Sequence, residues 1–196
     1  MDPHFYWYMA RSSGIVAFWL LTLSTALGLS TSSRLWDGLL ERGWVFETHR
    51  VASLMALLFV ALHMAVLLPD SWTSFKVVDL LVPGTSAYRV EAVALGVLAM
   101  YASIIATVSF YMRRRLGRLT WRALHFTTFG TFVLMLVHGV FAGTDSREPW
   151  MRASYAAATL LILFLTVYRI LVVPEARSAP PAPRPESGVA PYDSHS

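Results

Sequence analysis

The sequence predicts an all-α fold, a multi-pass bundle of five membrane-spanning helices with the N-terminus outside and the C-terminus inside. Three observations predict it. Hydrophobic residues make up 56% of the 196-residue chain and charged residues only 14%, where soluble domains carry about a quarter charged. The charges are segregated: Arg11 and Arg34 bracket 22 uncharged residues, Arg50 and Asp70 bracket 19, Glu91 and Arg113 bracket 21, and Arg122 and Asp145 bracket 22. A fifth apolar stretch runs from Ala153 to Tyr168 and continues past Arg169 to Pro174. A helix of about 20 apolar residues crosses the hydrocarbon core, and helices satisfy their own backbone groups there. The third observation is the placement of Arg and Lys. Eleven (Arg34, Arg42, Arg50, Arg113, Arg114, Arg115, Arg118, Arg122, Arg169, Arg177 and Arg184) fall on one side of the predicted topology and five (Arg11, Lys76, Arg89, Arg147 and Arg152) on the other. The richer side is expected to face the cytoplasm.

The spans are expected at about 12–31, 47–69, 88–112, 120–142 and 151–173. The first is too long and too firmly flanked to read as a cleaved signal peptide. Residues 70–87 place Trp72, Phe75, Val78 and Leu81 at helical spacing before a Pro83-Gly84 stop. They read as a short interfacial helix between the second and third spans, with an irregular loop as the alternative. The membrane domain is expected over 1–174. Residues 175–196 include the proline-rich run Ala179 to Pro185 and are expected to form a disordered cytoplasmic tail. Tryptophans 7, 36, 44, 72, 121 and 150 fall at or near span ends, as an interfacial belt requires, and Trp19 does not. The spans leave no room for a large soluble domain. The absence of cysteine excludes disulfides, thiolate-bound iron–sulfur clusters and thioether-attached haem. A net charge of +4 carried by span-flanking loops is no nucleic-acid signal.

Ionisable residues inside membrane spans are costly and point to function. Four of the six histidines lie there: His49 and His63 on the second span, His125 and His138 on the fourth. Both spans run from inside to outside, so His49 and His125 share the inner level and His63 and His138 the outer one. The 14 residues between His49 and His63 correspond to about 21 Å of rise and return the pair to within roughly 40° of one face. Two levels, each with one imidazole from each span, suit two haems stacked across the bilayer, each between two axial histidines. The 13 residues between His125 and His138 fit less well, turning the pair roughly 140° apart on an ideal helix. Curvature, a pitch change near Gly130 or a lateral offset of the haems would each close that gap. Two other readings stand: histidines that only hydrogen-bond neighbouring helices, and a bare metal ion. The uncharged stretches of the spans contain no carboxylate or thiol to complete the latter. Met55, Met64, Met100 and Met135 read as packing residues rather than axial ligands.

The motifs that carry a resemblance are Tyr8-Met-Ala-Arg-Ser-Ser-Gly14, Glu47-Thr-His-Arg50 with His63, Asp79-Leu-Leu-Val-Pro83, and Trp121-Arg-Ala-Leu-His125 with His138-Gly-Val-Phe-Ala-Gly-Thr-Asp145. Over about residues 5–173 the chain resembles the bacterial ferric reductase-like transmembrane domain family. That family includes the membrane core of NADPH oxidases and ferric reductases and the haem-binding subunit of the periplasmic methionine sulfoxide reductase. The 14- and 13-residue spacings match its pattern. The resemblance implies two b-type haems, an inner one on His49 and His125 and an outer one on His63 and His138, in the bacterial inner membrane. It also implies transmembrane electron transfer as part of an oxidoreductase system. The chain departs from the family in its five spans where six are common. It also lacks a flavin- and nicotinamide-binding domain, having no Gly-x-Gly-x-x-Gly unit after a strand. Electrons are then expected from a separate donor protein or from quinol, so quinone is a candidate second cofactor.

Arg50, Arg122 and Arg34 lie at the inner level and suit haem propionates through paired hydrogen bonds, or serve as ordinary positive-inside anchors. Arg11, Arg89 and Arg147 are the outer equivalents, and Asp145 with Arg147 reads as an outer acceptor site or as plain loop. Two further functions stay open beside electron delivery to an outer acceptor. One is a haem-free anchor or assembly subunit. The other is oxidation of a small species outside with electrons passed inward to quinone.

Overall fold

The computed structural model describes residues 4–33, 41–70 and 72–178, with the side chains of 172–178 outside the description. Every regular element among them is helical: α1 (Phe5–Ser33), α2 (Arg42–Leu67), α3 (Val77–Leu81), α4 (Val90–Tyr111), α5 (Arg113–Leu116), α6 (Arg118–Ala142) and α7 (Pro149–Ser178). The five long helices α1, α2, α4, α6 and α7 are each long and apolar enough to cross a membrane. Their hydroxyls turn back on their own helix. Thr22 donates to Phe18 O at 2.8 Å, Ser53 to His49 O at 2.8 Å and Thr166 to Ile162 O at 2.7 Å. Such bonds satisfy polar side chains where lipid offers none.

Two antiparallel pairs organise the bundle. α1 packs most extensively on α2, and α4 on α6. Small residues let the backbones approach: Ala10, Ser13, Ala17 and Ser24 of α1 and Ala52 and Ala56 of α2 are all buried. α7 closes the bundle against α1 and α6 through a cluster of Phe18, Leu29, Phe132, Ala158, Ile162 and Leu165. The Tyr155 ring meets Phe18 edge-on at 5.2 Å and lies against Gly139, where a Cβ would come within 2.9 Å of its hydroxyl. α2 and α6, the helices that carry the four span histidines, make no extended contact with each other.

Several boundaries differ from the sequence expectation. α1 begins at Phe5, well before 12, so the Tyr8–Gly14 motif is helical. Arg11 does not end the span because its charge is paired within the fold. α7 continues through Pro174 to Ser178, so the membrane helix overruns the expected start of the tail at 175. Residues 179–196, with Arg184 and His195, lie outside the described residues, as do Arg34 and Trp36.

The connection after α2 does contain a helix, but a five-residue one with a different buried face. Phe75 and Leu80 are buried, while Trp72, Val78 and Leu81 are exposed. The expected stripe started too early. Asp70 instead holds Trp72 and Thr73 in a turn by accepting from Thr73 N at 3.1 Å and Thr73 Oγ1 at 2.7 Å. Helix then starts only at Val77, capped by Lys76, whose N–H donates to Asp79 Oδ2 at 2.9 Å. Phe75 and Leu80 join Val93, Val97 and Met100 of α4 in a second cluster, to which Met64 of α2 also packs. Met135 packs on the first cluster, whereas Met55 is exposed.

Candidate functional site: two histidine pairs on one cavity

Between the helix pairs lies a cavity of about 740 Å³, bordered by α1, α2, α4, α6 and α7. It falls within the range of roughly 300–1,000 Å³ expected for ligand pockets. All four span histidines line it. At one end the His49 and His125 rings stand 6.2 Å apart, centre to centre, with their planes at 82°. Toward the other end His63 comes from α2 and His138 from α6.

Three of the rings are held by one repeated device. His63 Nδ1–H donates to Ala10 O at 2.7 Å, His49 Nδ1–H to Ser24 O at 2.8 Å, and His138 Nδ1–H to Ala92 O at 2.8 Å. Each of these carbonyls already accepts from the N–H four residues on within its own helix. That fourth residue is glycine each time: Gly14, Gly28 and Gly96. A Cβ there would come within 3.1 Å of the His63 ring, 3.3 Å of the His49 ring and 2.6 Å of the His138 ring. Glycine therefore opens the carbonyl to a second donor and seats the imidazole against the helix backbone. A carbonyl partner obliges Nδ1 to carry the proton, so Nε2 keeps its lone pair. At His49 the device is reinforced. Ser24 Oγ lies 3.1 Å from Nδ1 and 2.6 Å from Ser53 Oγ, and Ser53 donates to the His49 carbonyl at 2.8 Å.

His125 lacks this support. Its Nδ1 is buried with no hydrogen-bond partner among the described residues, and so is Trp121 Nε1 one turn earlier. The two rings stack at 5.4 Å and 23°. Trp121 thus faces the cavity rather than joining an interfacial belt, while Trp44, Trp72 and Trp150 are exposed as that belt requires. α6 runs through Gly130 as continuous α-helix. His138 is drawn to α4, while His125 lies over its own helix against Trp121 and reaches toward His49.

Arg50 and Arg122, two of the predicted arginines, both line the end of the cavity with His49 and His125, and Arg118 and Arg169 join them. Arg50 also pairs with Glu47 at 2.7 Å, and Arg169 lies over the Phe126 ring at 5.9 Å. At the opposite end Arg11 pairs with Asp145 and covers the Trp7 ring at 5.1 Å. Asp145 is thereby a closing contact between α1 and the α6–α7 connection, not a plain loop residue. Arg89 donates to the Phe141 carbonyl and so ties α4 to α6. Arg147 is exposed. Asp145→Ala leaves the Arg11 guanidinium partly buried and unpaired, and is expected to cost about 1–2 kcal/mol, read as a lower melting temperature in detergent.

The glycines Gly28 and Gly96 were not singled out from sequence. The signal was there for the first pair: Gly14 and Gly28 are 14 residues apart, as are His49 and His63. Antiparallel helices with matched rise bring such pairs into register.

The residues fit b-type haem. The donor set is paired imidazoles with Nε2 free, on a cavity walled mostly by apolar side chains, with arginines at both ends for carboxylates. The His49 and His125 ring centres lie 6.2 Å apart, near enough for both imidazoles to reach one metal atom, given metal–nitrogen bonds of about 2 Å. Among the described residues no group of three or more His, Cys, Asp or Glu side chains gathers into a bare-ion site. Compared with protein-family models, curated proteins and solved structures, the chain matches none.

Proposed function

We propose that the chain is a transmembrane electron conduit in a bacterial inner membrane, holding one b-type haem on His49 and His125 and a second on His63 and His138. One observation carries the reading: four imidazoles, two from α2 and two from α6, line one cavity between helices that make no extended contact with each other. Haem would supply a one-electron couple at each level. The protein's own part is ligation, orientation and enclosure. Carbonyl bonds at His49, His63 and His138 fix the tautomer and ring angle and raise ligand basicity. With two histidines offered at each level, a bound haem would serve electron passage rather than substrate turnover. Arg50 and Arg122 at one end and Arg11 at the other offer donors to propionates, and Arg34 remains a candidate from sequence.

The arginine-rich end, with Arg113, Arg114 and Arg115 on α5, is the cytoplasmic side by the charge rule. Electrons would enter there from a separate flavoprotein or from quinol and leave at the His63–His138 level to an outer acceptor. The test is vectorial. Haem-loaded protein in lipid vesicles enclosing ferricyanide should bleach it when an impermeant reductant is added outside. Bleaching no faster than in protein-free vesicles would contradict the reading.

A further inference from the structure

We infer that His125 is an exchangeable ligand, and that the position it vacates takes a small neutral donor such as carbon monoxide or free imidazole. This rests on the haem reading above and concerns how the two sites differ. His49, His63 and His138 are each tied by Nδ1 to a carbonyl of the neighbouring helix and seated over a glycine. His125 has neither support.

The sequence of α4 differs at the corresponding position. Thirteen residues separate His138 from His125, and the same step along α4 from Gly96 leads to Ser109 rather than to glycine. Ser109 is buried, and its hydroxyl is committed to Ala106 O at 2.8 Å. By register that position carries a side chain where the other three have glycine, and His125 stacks on Trp121 instead. Stacking restrains ring tilt but supplies no acceptor for Nδ1–H. Loss of such an outer hydrogen bond typically weakens ligand binding by about 10–100-fold. The opposite ligand, His49, carries the most elaborate support of the four, through Ser24 and Ser53. The His49–His125 site therefore pairs a firm ligand with a loose one, whereas both ligands of the His63–His138 site are firm. A neutral donor exchanges for imidazole with no change in charge, so neither oxidant nor proton source is needed.

The experiment is carbon monoxide titration of the dithionite-reduced, haem-loaded full chain, read in the Soret band. About half of the haem should shift in the unaltered protein, since one of two sites yields its ligand. In His125→Ala the same half should shift at a carbon monoxide concentration at least about tenfold lower, and free imidazole should restore its low-spin spectrum. If His125→Ala instead sheds that haem, the one remaining should be silent to carbon monoxide. A shift of none or of all the haem in the unaltered protein overturns the inference. So does a response that grows from half to whole in His125→Ala, which would assign the yielding ligand to the other site. In each of these cases the two-haem reading stands. A chain that binds no haem removes that reading and the inference with it.

Discussion

Gly96→Ala is expected to empty the His63–His138 site without touching a ligand. By helix propensity alone the change should be favourable, because alanine stabilises a helix interior over glycine by about 1 kcal/mol. The site reverses the sign. The new Cβ would lie 2.6 Å from His138 Nδ1 and 2.7 Å from Cε1, and the ring cannot retreat while Nδ1 stays 2.8 Å from Ala92 O. Expelling the ring costs the bond that orients it, and haem affinity at that site should fall by about 10–100-fold. Gly14→Ala and Gly28→Ala form a graded series, with closest approaches of 3.1 and 3.3 Å to the His63 and His49 rings. Small ring movements relieve those, so the losses should be smaller and smallest at Gly28. Haem titration of the three variants beside their melting curves checks the order. Equal haem affinity in all three and the parent would show that the rings do not depend on these seats.

His63→Ala is expected to remove one haem of two and to abolish transmembrane electron transfer, while the bundle persists. On the proposed reading the ring offers a ligand nitrogen, and it makes one hydrogen bond to Ala10 O, a carbonyl whose intrahelical bond to Gly14 N remains. The α1–α2 contact does not depend on that ring, because buried Ala10, Ala17, Ala52 and Ala56 maintain it. Stability should therefore fall by about 1–2 kcal/mol or less, whereas vesicle bleaching should drop to the protein-free rate. His49→Ala should remove the other haem with the same functional outcome. A variant that keeps both haems would sever the link between these histidines and the redox reading.

Much of this was legible in the sequence because membrane spans are written in composition. Four uncharged runs and a fifth apolar stretch broken only by Arg169 located all five long helices, and the four intramembrane histidines singled out from sequence all line the cavity. The boundaries were less legible. Arg11 looks like the end of a span until its pairing with Asp145 is seen, and no local rule announces an ion pair between residues so far apart in sequence. The face of α3 was misread because Asp70 spends the preceding residues in a turn, which shifts the helical register that Trp72 and Phe75 were assumed to share. The doubtful spacing of His125 and His138 had a physical basis. The two rings leave α6 in different directions, His138 toward α4 and His125 onto Trp121, and they are unequally supported. The seats at Gly28 and Gly96 stayed hidden because a glycine in a helix has many possible reasons, and only the carbonyl four residues earlier gives the one that applies here.

The central claim is that four imidazoles on α2 and α6 hold two haems in one cavity. The most direct measurement is haem per chain in the purified full-length protein after expression with ample haem, with its reduced-minus-oxidised spectrum. The account predicts two b-type haems per chain, both low-spin when oxidised. A colourless preparation of the folded protein would contradict it.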